Sequence, residues 1–365
     1  MRKIHNPLAN EKIFVDKLSN KTSLDCQFCS YKINTALDEL NISLSNTYAY
    51  TFSNAFKIDK WHSIIAPKIH NPTELQYQHV KSMMVLSQQW FGNASNHEFT
   101  QLSDDQSKIE THYFYPIISW DSLSKGGASQ LHPHLQCFLS QEHYYGKMYG
   151  FLQNIKRSSG VYNSHKYDYN NLDENIEELA QSYREYIEDL INVHYFFGLT
   201  IPCPGDVNGL HLNDKSCVIL SYLNAIKEHH IFVIYQPYEM YNTLNNSVNS
   251  FDRFVKAIYA VIDTYRAPVI QNATNKNPSL NASTTSSHPK YAFSGSIMYP
   301  PIKYRLFKDR KILDFPTIAH FVSRAPYFDD VSDFSAIELF VINNVVHDPY
   351  TTIKDLKSKI PLIKF

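Results

Sequence analysis

Glycine is scarce in this 365-residue chain: there are 10, where an average usage of ~7% would place about 26. Any local cluster of glycine therefore marks a backbone requirement. An excess of positive charge is missing as well. Lys+Arg 34 stand against Asp+Glu 35, a formal net charge of -1, whereas nucleic-acid surfaces carry a basic excess, so no nucleic-acid partner is expected. No apolar run approaches the ~20 residues that cross a bilayer. The start, MRKIHNPLANEKIF, has no apolar core of about 7–15 residues behind its positive charge. These absences lead to the expectation of a cytoplasmic protein with no membrane partner. Five Cys, an odd number without an export signal, favours reduced thiols or metal ligands over disulfides. What is plentiful is apolar and aromatic: 43% and 14% of the residues, which excludes a mainly disordered chain.

At ~150 residues per domain the length suggests two domains or one duplicated unit. Two segments support duplication. FSNAFKIDKWHSIIAPK (residues 52–68) and YLNAIKEHHIFVIYQP (222–237) share Asn-Ala, a polar stretch, a His and an apolar run. Asn54 then corresponds to Asn224 and His62 to His230, with two residues fewer in the second copy. A helix is expected after each segment. In the first copy Asn71 is an N-cap, Pro72 the first helical residue and Glu74 the capping-box partner, with Val80, Met84 and Phe91 on one face. In the second, Phe251, Phe254, Ile258, Val261 and Tyr265 share a face. Strands are expected at 111–118, 134–139 and 291–299. Between the copies a long helix carries Ile176, Leu179, Tyr183, Ile187, Leu190 and Val193 and ends near Gly198. Strand–strand–helix–strand twice is an α+β pattern, antiparallel sheets with covering helices. The polar run 271–288 reads as a surface insertion, and Asp333–Phe365 as ordered chain.

Cys137, Cys203 and Cys217 are isolated and read as small buried hydrophobes. Cys26 and Cys29, in Cys-Gln-Phe-Cys, put two thiols on one turn. Such a pair is either redox-active or half of a metal site, and a zinc ion would need two more ligands, for which His70 and His132 are candidates. The strongest local signal is SKGGASQLHPHLQCF. It holds the chain's Gly-Gly pair, Gly126 and Gly127, followed by Ser129, His132, His134 and Gln136. On a strand those last three would line one surface. Glycine backbone with free N–H groups suits a phosphate. A neutral imidazole beside it can attack a phosphorus atom, and a Gln amide can donate to the oxygen where charge builds.

GGASQLHPHLQ resembles the active-site signature of the galactose-1-phosphate uridylyltransferases, in the histidine-triad (HIT) superfamily. The resemblance extends back through SNAF and IIAPKIH to CQFC, so it covers the first half; the second half matches by layout. It implies two HIT-like repeats, here 1–165 and a degenerate 166–365. It also implies that His134 is the nucleophile that becomes uridylylated, that Gln136 contacts the transferred phosphate, and that Gly127 and Ser129 belong to the phosphate loop. Cys26, Cys29, His70 and His132 match the family's ligands for one structural Zn2+ per chain, and Asn54 its nucleoside-contacting Asn. The implied partners are a nucleotide sugar and a sugar phosphate, in a homodimer. Departures are also present. Ala55 stands where family members carry an acidic residue, and Asp121 stands in place of an Asn ahead of the phosphate loop. Gly295-Ser296-Ile297 replaces a second His-x-His, which removes a second metal site. HFVSRAPYF matches the hexose-reaching segment poorly. The function expected is transfer of UMP from a UDP-hexose to a hexose-1-phosphate. Alternatives are a nucleotide-sugar or dinucleotide phosphorylase, or a relative that binds nucleotide without turnover.

Overall fold

A computed structural model describes residues 26–34, 44–103, 111–145, 172–203, 217–235, 248–266, 291–305, 309–312, 315–326 and 348–362. The expected insertion at 271–288 lies outside these residues, as does most of the segment from Asp333 onward.

Eleven strands form one antiparallel sheet system: β1 (Ala49–Ser53), β2 (His62–Pro67), β3 (Thr111–Ser122), β4 (Leu135–Ser140), β5 (Thr200–Pro202), β6 (Cys217–Ser221), β7 (Ile231–Tyr235), β8 (Tyr291–Met298), β9 (Ile302–Arg305), β10 (Asp309–Ile312) and β11 (Thr317–Pro326). The main order is β1-β2-β4-β3-β8-β11-β7-β6-β5, with β9 pairing the far end of β3 and β10 pairing β9. Four strands on either side of the β3–β8 junction thus have the same connectivity. The register makes the relation residue by residue. Ile64, Gln136, Ser119, Ser296, His320 and Phe232 lie side by side across the sheet. An approximate twofold axis between Ser119 and Ser296 exchanges Ile64 with Phe232 and Gln136 with His320.

Side-chain alternation gives the sheet two unlike faces. One carries Ile65, Leu135, Cys137, Ile118, Ile297, Ala319 and Val233, in a core completed by α1 (Tyr77–Ser103) and α3 (Val248–Arg266). Val80, Met84 and Phe91, and Phe254, Ile258, Val261 and Tyr265, are buried there, as their spacing requires, while Phe251 is partly buried against the same core. Asn71 does not cap α1. It caps a 3-10 turn, Pro72–Glu74, by accepting from the Thr73 N–H, and the long helix starts at Tyr77 after a break. The other face is covered in the second half by α2 (Leu172–Phe196), whose Tyr183, Ile187 and Ile191 join Phe232, Ile234 and Ile318 in a second core. Val193, expected on that buried stripe, is 46% exposed, while His194 is buried at 1%. A further helix, α4 (Pro349–Lys359), is capped by Asp348, which accepts from the Thr351 N–H.

Two further sequence readings are corrected by the fold. Cys203 and Cys217 are not isolated: they form a disulfide that ties β5 to β6 across 14 residues of sequence. Cys137 is a buried free thiol, as expected. Register also pairs Ser53 with Ser63 and Ser221 with Ile231, so the connecting residues 54–62 and 222–230 are equal in number. Asn54 therefore corresponds to Tyr222, not to Asn224. Two shared letters, Asn-Ala, had shifted the alignment by two residues.

Candidate active site and metal centre

The Cys26–Cys29 segment folds as a turn, Ser30 N–H to the Cys26 carbonyl, 3.2 Å, and the Tyr50 hydroxyl pins it by donating to the Phe28 carbonyl, 2.7 Å. His132 meets it from the start of the β4 ribbon. His132 Nε2 is 2.8 Å from the Pro67 carbonyl oxygen, which can only accept, so that nitrogen carries the ring proton. Nδ1 is then a lone pair, and it faces Cys26 Sγ at 3.6 Å and Cys29 Sγ at 3.4 Å. His70 Nδ1 lies 3.5 Å from Cys29 Sγ. The four ligand atoms all fall within 4.8 Å of one another. Two thiols and two imidazole nitrogens are a donor set suited to zinc, and a backbone carbonyl fixing one tautomer is the outer support such sites use. Burial and the neighbouring Cys26 push the Cys29 thiol up to about 12, so that thiol stays protonated unless a cation draws it off as a thiolate. The residues present fit a zinc ion.

His132, His134 and Gln136 do not line a single surface. Pro133 delays the strand, β4 begins at Leu135, and His132 turns away to the thiols. His134 and Gln136 do share a face, and they open onto a cavity of about 270 Å³ with Phe28, Phe52, Asn54 and Ser129. His134 is buried, 6% exposed, with Phe28 edge-on to its ring at 5.0 Å between centroids. His134 Nδ1 is 2.9 Å from the His132 carbonyl oxygen, so Nδ1 bears the proton and Nε2 the lone pair. Burial lowers its pKa from the ordinary imidazole value, which keeps the ring neutral near pH 7. The result is an uncharged nucleophilic nitrogen, held by the chain carbonyl two residues earlier and lining a cavity.

The glycine pair serves the backbone in a way not read from sequence. A one-turn helix, Leu123–Gly126, ends at Gly127, whose φ is 103. The Gly127 and Ala128 N–H groups bond to Ser124 and Leu123 carbonyls, so they are not free to cradle a phosphate, and Gly127 does not line the cavity. A Cβ on Gly126 would sit 2.4 Å from the Phe293 carbonyl oxygen. The pair lets the loop turn sharply while pressed on β8, and so delivers Ser129 to the cavity. Asp121 also stands outside it, behind Gly127, its carboxyl carbon 3.5 Å from where a Gly127 Cβ would lie. Burial raises the Asp121 pKa against a Ser294 hydrogen bond and the nearby Arg324 charge.

One group in the cavity was visible in sequence only as a repeat counterpart. His62, 3% exposed, places Nε2 3.1 Å from Gln136 Oε1 and 3.0 Å from Asn54 Nδ2. Burial pushes its pKa down to about 4. The signal for it was alternation: two residues before Ile64, it must face the same side of the sheet.

The pseudo-twofold axis exposes what the second half lacks. Ile318 takes the place of His134, His320 of Gln136 and Tyr222 of Asn54. Ile318 is fully buried in the core beneath α2. His230 repeats His62 and, like it, accepts a loop N–H at Nδ1: Ile226 at 3.3 Å, Ile58 at 3.4 Å. His229 instead lies 3.1 Å from the Thr352 hydroxyl through Nδ1. Among the described residues, the second copy supplies half the sheet and none of the cavity's polar groups.

No protein-family model and no curated protein matches the sequence. An ADP-glucose phosphorylase from Arabidopsis thaliana, solved with bound ADP-glucose, is similar in fold with a TM-score of 0.51, over 94% of this chain and 92% of that chain, at 8% identity. A galT-like protein from the same plant gives a TM-score of 0.50, over 92% of each chain, at 9% identity. The chain has the galT-like fold. Its α+β architecture of two HIT-like repeats on one antiparallel sheet follows from that likeness and from the register above. Among the described residues, no helix is long and apolar enough to cross a membrane.

Proposed function

We propose that this galT-like chain is a nucleotidyltransferase that carries a nucleoside monophosphate on His134. The observation that supports it most is the His134 tautomer: Nδ1 is engaged by the His132 carbonyl at 2.9 Å, so Nε2 is the atom left to react in the cavity. In the first half-reaction the Nε2 lone pair attacks the α-phosphorus of a nucleotide sugar. The N–P bond forms, the bond from that phosphorus to the bridging oxygen breaks, and the sugar phosphate leaves with the electron pair. In the second, a phosphate oxygen of the acceptor attacks the same phosphorus and the N–P bond breaks. Nδ1–H stays on the ring throughout and stabilises the cation-like character that develops.

Gln136 is assigned as the amide donor to the phosphoryl oxygen, Ser129 as a second donor from the loop, and Asn54 as the contact to the nucleoside. Gly127 and Asp121 shape the loop behind Ser129. Phe28 and Phe52 supply apolar walls for the base. Cys26, Cys29, His70 and His132 are assigned to one zinc ion per chain, which stabilises the ribbon bearing His134. The donor we assign is UDP-hexose and the acceptor a hexose-1-phosphate, as in galactose metabolism, in a cytoplasmic homodimer with repeats at 1–165 and 166–365. A second reading, a phosphorylase in which inorganic phosphate is the acceptor, is favoured by Ala55, which removes an acidic side chain from the loop beside Asn54 and leaves room for another nucleoside. The ADP-glucose bound to a protein of similar fold makes the adenine donor the first to compare. Incubation with UDP-glucose or ADP-glucose, followed by intact-mass measurement, tests both readings. An adduct of one nucleoside monophosphate, absent from His134→Ala, is expected. No adduct with any nucleotide donor refutes both.

A further inference from the structure

We infer that His62 is a positioning residue that fixes the amide of Gln136 for phosphoryl transfer; this rests on the nucleotidyltransferase reading. Three contacts define the ring. The Ile58 N–H can only donate, and it points at His62 Nδ1, 3.4 Å, so Nδ1 is a lone pair and the proton of the neutral ring is on Nε2. The same loop N–H contact is repeated at His230, 3.3 Å, so this tautomer is a property of the loop in both copies. Burial keeps the ring neutral above about pH 4. In the first copy the Nε2 proton meets an amide: it is donated to Gln136 Oε1 at 3.1 Å. A Gln amide has one oxygen and one NH2. Engaging the oxygen settles which end is which and leaves the NH2 for the cavity that His134 also lines. Without His62 the amide could turn its oxygen toward the phosphate, where it would repel.

Asn54 completes the arrangement. Its Oδ1 accepts the Phe56 N–H at 2.9 Å, which settles its orientation too, and its NH2 lies 3.0 Å from the same His62 Nε2. One nitrogen serves one partner. With its proton given to Gln136, Nε2 cannot accept from Asn54, whose NH2 is therefore offered to a ligand. The ring also packs on Phe138 at 4.2 Å between centroids, so its position is set by the sheet. In the second copy the positions of Asn54 and Gln136 hold Tyr222 and His320, and the device has nothing to orient.

The experiment is a double-mutant cycle on the maximal single-turnover rate of His134 labelling, with UDP-glucose and ADP-glucose as donors. Removing one donor to a developing oxyanion typically costs about 10²–10³ in rate. Gln136→Ala should therefore slow labelling ~10²-fold. His62→Phe, which keeps the ring packing, should slow it by the same ~10² while donor affinity changes by less than about threefold, and the double variant should also lose ~10² rather than ~10⁴. His62→Gln, which restores an N–H, should recover most of the rate. Additive losses, a loss in affinity instead of rate, or no loss in His62→Phe would each overturn the inference while the labelling chemistry stands. If wild type is labelled by no donor, the enzyme reading falls and this inference with it. Histidine nitrogen NMR on the unmodified protein gives a test that does not depend on a variant's folding: the proton should be on His62 Nε2, and a proton on Nδ1 would overturn the assignment.

Discussion

Alanine at the two adjacent glycines of the active-site loop should be costly for two different reasons. Gly126 has ordinary backbone angles, but its added Cβ would meet the Phe293 carbonyl oxygen at 2.4 Å, a main-chain atom of β8. Neither strand nor helix turn can move cheaply, so overpacking of ~1–3 kcal/mol is expected. Gly127 has room, with the nearest atom, Asp121 Cγ, at 3.5 Å, but its φ is +103. That is backbone strain of ~1–2 kcal/mol, offset by ~0.4–1 kcal/mol because alanine restricts the unfolded chain, a net loss near ~1 kcal/mol. Gly198, at the end of α2, has φ +69 and nothing within 4 Å, and is the control for strain alone. The assay is reversible denaturant unfolding of the three single variants, together with the rate of His134 labelling. Gly126→Ala should be the least stable, Gly127→Ala and Gly198→Ala alike. Labelling should slow in the first two and be untouched in the third. If Gly126→Ala is as mild as Gly198→Ala, the close approach of this loop to β8 is wrong, and so is the account of how Ser129 reaches the cavity.

Further outcomes follow from the metal centre, the disulfide and the buried imidazoles. Metal analysis should give close to one zinc per chain, lost together with much of the first half's stability in the double variant Cys26→Ser/Cys29→Ser; full stability without metal would contradict the assignment. Titration of thiols in unfolded, unreduced protein should count three, because Cys203 and Cys217 are paired and Cys26, Cys29 and Cys137 are free. A count of five refutes the pairing. Replacing both paired residues by Ser should cost ~3 kcal/mol for a loop of about 15 residues, read by urea unfolding. His62 is lowered to about 4 in the folded chain from 6.5, so the unfolded state binds the extra proton. Its contribution to stability is present above pH 6.5 and is lost as pH falls from 6.5 toward 4. His62→Phe should unfold with a shallower pH dependence across that window than wild type, and identical slopes would contradict a neutral buried ring.

How much of this was legible in the residues depends on how local the signal was. The Cys-Gln-Phe-Cys turn was legible from spacing and the candidates His70 and His132 were singled out by the family resemblance, and Cys26, Cys29, His70 and His132 do converge. Helix faces came from periodicity, which is why Val80, Met84, Ile258 and Val261 were placed inside. What failed was long-range or conformational. The pairing of Cys203 with Cys217 depends on β5 lying beside β6, which no spacing states. The Gly127 N–H looked available because the one-turn helix whose carbonyls engage it has no sequence period of its own. The alignment of Asn54 with Asn224 followed letters, whereas strand register follows hydrogen bonds and sets Asn54 against Tyr222. His62 was hidden for the complementary reason: the role proposed for it depends on Gln136, from β4, reaching a ring at the start of β2.

The measurement closest to the centre of the account is intact mass of the zinc-loaded protein after brief exposure to UDP-glucose or ADP-glucose, with peptide mapping of any adduct. The account predicts one nucleoside monophosphate bound to the peptide containing His134, discharged when sugar phosphate or inorganic phosphate is added. An unmodified mass with every nucleotide donor, or an adduct on any other residue, would contradict it.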